Sequence, residues 1–231
     1  MSREWAVFLQ GQTWIWLGGG LLVTIRIAAF VVAISLITGT IFALAHLSRN
    51  ATLHWVASIY INVLRGVPVF LIIVFTFFAL PKIGINVEVA TSVTVALTIY
   101  ATALIAEIVR AGILAVPTGQ IEAARSLGIG PISTFVHIVF PQAMRIMVPP
   151  LVGQYIVLIK NTSLGSVVGL DELLRRTVIL YSGFQNPMQA LIIVACLYFA
   201  FLFPLSILSR RLELKDRRTD NLPIDEALAI I

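Results

Sequence analysis

The stretch Ile121–Pro141, IEAARSLGIGPISTFVHIVFP, decides how the rest of this chain is read. It carries Glu122 and Arg125 and is punctuated by Gly128, Gly130 and Pro131, between apolar runs long enough to cross a bilayer. Thr118, following Pro117, suits a helix N-cap. A helix over about Gly119–Leu127 can stop at Gly128, since glycine adopts the left-handed conformation that ends helices. Gly130-Pro131 then opens the next helix, with proline at its first position. Ile121, Ala124 and Leu127 recur every three residues as a narrow apolar stripe, with Glu122, Arg125 and Ser126 mostly opposite. Ala123 and Ala124 are small enough for another surface to approach the backbone. The segment reads either as a solvated connection or as a helical knob that fits a groove in a soluble partner.

Its surroundings are almost entirely apolar. Of 231 residues, 59% are hydrophobic and 12% charged, with a mean hydropathy of +0.98. Soluble domains carry about 25% charged residues, so the composition implies an all-α polytopic membrane protein. In such a chain the net charge of +5 reports topology and lipid-headgroup contact rather than nucleic acid. The single cysteine, Cys196, excludes an internal disulfide and a cysteine-based metal site. The start, MSREWAVFLQGQTW, lacks the pattern of a cleaved signal peptide. There is no internal repeat.

A span needs about 20 mainly apolar residues, and five candidates emerge: about 18–47, 55–80, 88–110, 145–160 and 187–209. The last is cut from an uncharged run, Thr177–Ser209. As one helix that run would reach about 50 Å, too long for a ~30 Å core. SGFQNP breaks it, and Pro187 suits a first helical turn. With the N-terminus outside, Arg49, Arg110, Arg125, Arg145, Arg210, Arg211, Lys215, Arg217 and Arg218 fall inside. Arg3, Lys82, Lys160, Arg175 and Arg176 fall outside. The excess inside favours N-out, C-in. Residues 1–215 then form one membrane domain and 216–231 a polar, loosely ordered cytoplasmic tail. Residues 161–186 form an outer segment in which LDELLRR can be helical.

The spacing in EAARSLGIGPISTFVHIVFP closely resembles the signature of the permease subunits of ABC importers. The matching positions are Glu122, Ala123, Ala124, Gly128, Ile138 and Pro141, with Phe140 replacing the usual leucine. LRGVPVFLIIVF (64–75) resembles the Arg-Gly-Thr-Pro segment of the polar amino acid subfamily, with Val67 for threonine. AEIVRAGILAVPTGQIEAARSLG (106–128) and IKNTSLGSVVGLDEL (159–173) are similar to the same subfamily. The likeness covers roughly residues 17–212. It implies a type I ABC importer fold in a bacterial inner membrane. It also implies a coupling helix in loop 117–141, seated in a cleft of a separate ATPase subunit. The implied partners are ATPase subunits that bind ATP and magnesium, a second permease subunit (identical or not), an external amino-acid-binding protein and lipid. The chain itself has no Gly-x-x-x-x-Gly-Lys-Ser/Thr phosphate loop, so ATP chemistry must come from a partner and this chain binds no cofactor.

Ionisable groups inside spans cost at least about 2.5 kcal/mol for an arginine at a helix centre, which makes each one informative. Arg26 snorkels near the outer end of the first span. Arg65, directly before Gly66 and Pro68, either pairs locally at a kink or lines the substrate path. Glu107 and Arg110, three apart, can pair on one helix face, as a structural ion pair or a contact at the coupling loop, against the alternative of a substrate site. Lys160, Asn161, Thr162 and Ser163 either cap a helix end or hold an amino acid, its carboxylate on Lys160 and its ammonium on the neighbouring oxygens. Many relatives carry aspartate where Asn161 stands, which argues against a cationic substrate. Asp171, Glu172, Arg175 and Arg176 either steer a docking protein or form a solvated face. The alternative class is an ion-coupled secondary transporter or channel, which needs acids or histidines at mid-membrane. Here the histidines fall at loops and the acids at span ends. A membrane enzyme needs a clustered nucleophile or metal set, and none is present.

Overall fold

A backbone in hydrocarbon must satisfy its own polar groups, which leaves helices or closed barrels. In the computed structural model, which describes the backbone of residues 5–220 and the side chains of 5–212, every regular element is helical. A short 3-10 turn, Ala6–Leu9, leads into α1, Gly11–His46. Its 36 residues reach about 54 Å, so α1 starts before the expected Gly18 and overshoots the bilayer core. α2, Ala51–Gly66, is capped by Asn50, whose side-chain oxygen accepts from the Thr52 and Leu53 N–H groups at 2.9 and 3.3 Å.

The stretch expected as a single span over 55–80 is broken. α2 and α3 (Val69–Lys82) meet at an angle of 107°. Pro68 has no N–H to continue the ladder, and it holds Val67 in an extended conformation (φ −95°, ψ 132°). α4 spans Val89–Leu114, and α5 is the nine-residue helix Thr118–Ser126.

The next rod is longer than its charge pattern suggests. It begins at Pro131 rather than near Arg145 and is helical through Val168, 38 residues in all. It comprises α6 (Pro131–Thr134), a π turn (Phe135–Val139), α7 (Phe140–Asn161) and a 3-10 turn (Thr162–Val168). At about 57 Å it reaches well beyond a ~30 Å core. The π turn sits beside Pro141, which lacks an N–H and whose ring crowds the carbonyl four residues back. The wider turn relieves this and lets the Phe140 N–H bond the Phe135 carbonyl.

α8, Leu173–Phe184, ends at Gln185 in the left-handed region (φ 53°). Pro187 opens α9, which continues to Asp220, past the expected boundary at 215. Arg3 and residues 221–231 of the expected tail lie outside the described residues. Among the described residues four helices are long and apolar enough to span a membrane, or five spans if the bent pair α2–α3 counts as one.

The most extensive packing is α1 on α4. Ser35, Gly39 and Ala43 repeat every four residues on the buried face of α1, a small-residue stripe that lets two helices approach closely. A Cβ on Gly39 would lie 2.8 Å from Ile105 Cγ2 and 3.1 Å from the Ala106 nitrogen. The hydroxyls of Thr38 and Thr102 bond across this seam at 2.6 Å. Two cores mark the two ends of the bundle. Ile27, Val31, Leu97, Leu158 and Leu170 gather at one. Ala43, Ile105, Val109, Val116 and Met147 gather at the other, where Ile121 joins them.

Candidate coupling and translocation site

At the Ala43–Val116 end, α5 lies between α4 and α6. Only Ala124 is fully buried in it, with Ile121 partly buried, while Glu122, Ala123, Arg125 and Ser126 are exposed. Its end is a complete Schellman turn. The Ile129 N–H bonds the Ala124 carbonyl and the Gly128 N–H bonds the Arg125 carbonyl, both at 3.0 Å. Gly128 holds φ +72°, a conformation that costs an L-residue about 1–2 kcal/mol. Pro117 rather than Thr118 is the N-cap residue and makes no side-chain cap bond. Leu127 leaves the expected apolar stripe and is 79% exposed. It is the C-cap residue, so the turn into Gly128 takes it off the helical period. The motif positions beyond the turn diverge. Ile138 is half-buried within the π turn and Pro141 is exposed at the start of α7.

Above this end lies a three-residue ion cluster. Glu107 accepts from Arg110 Nε at 2.9 Å and from its Nη at 2.6 Å, and Arg65 Nη1 stands 3.7 Å from the same carboxylate. Arg65 lies in the last turn of α2, at the break before Pro68, and Glu107 sits on the helix that leads into α5. The cluster therefore joins the broken span to the element that carries the short helix.

Lys160–Ser163 do not converge on one point. Lys160 and Ser163 line a groove of about 470 Å³ with Ile156 on α7 and Tyr198, Leu202 and Ser206 on α9. Thr162 is fully buried, its hydroxyl donating to the Ile159 carbonyl at 2.7 Å, and the Ser163 hydroxyl donates to the Lys160 carbonyl at 2.7 Å. Asn161, half-buried, ends α7. Among the described residues no cluster of histidine, cysteine or carboxylate side chains could hold a metal.

The model of the family described as "binding-protein-dependent transport system inner membrane component" matches residues 34–218. The chain belongs to that family. The permease is 39% identical to the probable glutamine ABC transporter permease protein GlnP of Bacillus subtilis, over 85% of this chain and 91% of that one. It is 33% identical to the glutamate transport system permease protein GluD of Corynebacterium glutamicum, over 92% and 79%. Among solved structures it superimposes on an amino acid ABC transporter crystallised with histidines, with TM-score 0.81, 34% identity and coverage of 88% and 94%. The fold is that of type I ABC importer permeases.

In this permease the residue that sequence reasoning misjudged most is Glu172. Within an exposed-looking LDELLRR it reads as a rim charge, yet it is 0% exposed. Its carboxylate accepts from the N–H groups of Leu174 at 2.9 Å and Arg175 at 2.7 Å, and from the Tyr198 hydroxyl at 3.0 Å. The only signal for it in the sequence was its position immediately before LLRR, where a carboxylate can cap a helix. Asp171 and Arg176 pair with each other at 2.7 Å, and Arg176 stacks on Trp16 at 4.5 Å and donates to the Trp16 carbonyl. These charges staple α8 to α1 more than they form a free face.

Proposed function

We propose that the permease carries a polar amino acid across a bacterial inner membrane, as the non-catalytic translocation subunit of an ATP-driven importer. Partner ATPase subunits that bind ATP and magnesium would supply the energy, an external binding protein the substrate, and a second permease subunit the other half of the path. The relatives named for glutamine and glutamate transport support this substrate class. The charge pattern supports N-out, C-in, with α5 in the cytoplasm.

The observation that carries the coupling assignment is the exposed, rigidly terminated α5. A nine-residue helix held at its base by Ala124 and closed by a Schellman turn presents Glu122, Ala123 and Arg125 as one stiff unit. Such a unit transmits displacement, whereas a solvated loop would absorb it. Gly128 fixes its end, and Ile138 and Pro141 set the wide turn that connects it to α7. Movement of α5 would reach the broken span through α4, Glu107 and Arg65. The groove with Lys160 and Ser163 is the place on this chain where a substrate carboxylate meets a cation. Arg65 serves the ion cluster, Thr162 serves its own helix, and Asn161 ends α7 beside Lys160.

The test is ATP hydrolysis by the reconstituted complex, stimulated by the liganded binding protein. Glu122→Lys should insert and assemble normally but lose stimulation. Normal stimulation in that variant would overturn the coupling role of α5.

A further inference from the structure

At the end of the bundle opposite α5, three elements meet on a single carboxyl group, and a fourth touches its tyrosine partner. Glu172, between the spans, is wholly buried. It caps α8 through the Leu174 and Arg175 N–H groups and takes the Tyr198 hydroxyl of α9. From α1 it faces Thr24, whose hydroxyl also takes the Leu173 N–H at 3.5 Å. The Thr162 hydroxyl of the 3-10 turn lies against Tyr198. Tyr198 is the titratable side chain facing Glu172 from these elements. The charged neighbours on its own segment are Arg175, which contributes its backbone N–H, and Asp171 and Arg176, which pair with each other. No salt bridge reaches Glu172 among the described residues. An ionised carboxylate here is buried without a cation, held by dipoles alone, which is costly.

Tyr198 also lines the groove that holds Lys160 and Ser163. One hydrogen bond therefore connects the groove wall to the cap of α8. We propose that Glu172 is a proton-linked positioning residue for that groove: it takes up a proton as the start of α8 closes against Thr24 of α1 and Tyr198 of α9, and releases the proton as it opens. This rests on the transport reading above only for its consequence in uptake.

Burial raises the Glu172 pKa above the ordinary glutamate range, against the opposing pull of the two N–H groups, Tyr198 and Thr24. A carboxyl with a raised pKa when closed favours the closed form at low pH. Opening, which hydrates the group and restores its ordinary pKa near 4.5, becomes easier as pH rises through the window between the two values. Each unit of difference makes opening tenfold easier.

The test uses the assembled transporter in lipid vesicles, followed by hydrogen exchange of residues 172–176 from pH 4.5 to 8 and corrected for intrinsic exchange. Uptake of labelled L-glutamine, a probe chosen from the relatives, is measured alongside. Wild-type protection should fall as pH rises and then level off. Glu172→Gln, neutral at every pH and still an acceptor for Tyr198, should show protection independent of pH. Tyr198→Phe removes a donor to the ionised form, so its window should extend to higher pH than in wild type. That keeps the test open if Glu172→Gln fails to assemble. Uptake should follow the same profile in wild type and lose it in Glu172→Gln. Equal pH dependence in wild type and Glu172→Gln, or an unshifted window in Tyr198→Phe, would overturn the proposal. Protection that behaves as expected with an uptake profile that does not follow it overturns the link to the groove. Protection that behaves as expected in vesicles that take up neither L-glutamine nor, in a parallel panel, any other polar amino acid leaves the proton linkage standing and refutes the transport reading.

Discussion

Gly128 offers a test that separates backbone conformation from surface shape. Its φ of +72° closes the Schellman turn, yet a Cβ built on it would meet nothing within 4 Å. A substitution therefore costs conformational energy with no clash inside the chain. For alanine that energy is about 1–2 kcal/mol, which lowers the population of the closed turn about five- to thirty-fold. Asparagine enters the left-handed region several-fold more readily than most residues, so it should cost less although it is larger. A β-branched valine should cost most. Stimulated ATPase activity of the reconstituted complex should thus rank glycine, Gly128→Asn, Gly128→Ala, Gly128→Val. Basal hydrolysis and membrane insertion should be unchanged, because the site is exposed. If Gly128 merely had to be small to fit a partner surface, alanine would outperform asparagine. That order, or equal activity in all four, would refute the conformational reading.

Gly20→Val should loosen α8 from α1, because even a Cβ there meets the Leu173 Cα at 2.9 Å. Overpacking of this kind costs about 1–3 kcal/mol, read as a lower melting temperature in detergent. Gly39→Val should act more broadly, since the Ala106 backbone 3.1 Å from its added Cβ cannot yield as a side-chain tip would, and the expected readout is poor recovery of folded protein. Lys160→Met, at an exposed groove position, should leave thermal stability within about 0.5 kcal/mol while raising the substrate concentration needed for half-maximal uptake. An unchanged concentration dependence would remove Lys160 from the path. Glu107→Gln should leave both guanidiniums without a carboxylate. Uncoupled ATPase activity with normal assembly is then expected if the cluster relays α5 motion, and thermal destabilisation alone if it does not.

Local chemistry made several features legible. Composition alone demanded a helical membrane protein, because so few charges cannot cover a soluble surface. The turn at Gly128, the helix start at Pro131 and the one at Pro187 followed from a left-handed φ and missing N–H groups, properties carried by single residues. The Glu107–Arg110 pair followed from its spacing of three on one helix.

Other features depended on residues far apart in the chain. Gly66 and Pro68 announced an interruption, but the 107° angle between α2 and α3 comes from how each half packs on its neighbours. Lys160 and Thr162 stand two apart in a polar run, yet the turn from α-helix to 3-10 helix sends one to a groove and the other into the core. Glu172 looked solvated because its chain neighbours are charged. Its burial is set by Thr24 and Tyr198, which lie on two other helices. Where the backbone must bend and which class of solvent it tolerates were legible residue by residue, because those are properties of single residues and of bulk composition. Which polar side chains are buried, and what each one holds, was decided only when distant helices packed, because the cost of burying a charge depends on donors that other helices supply.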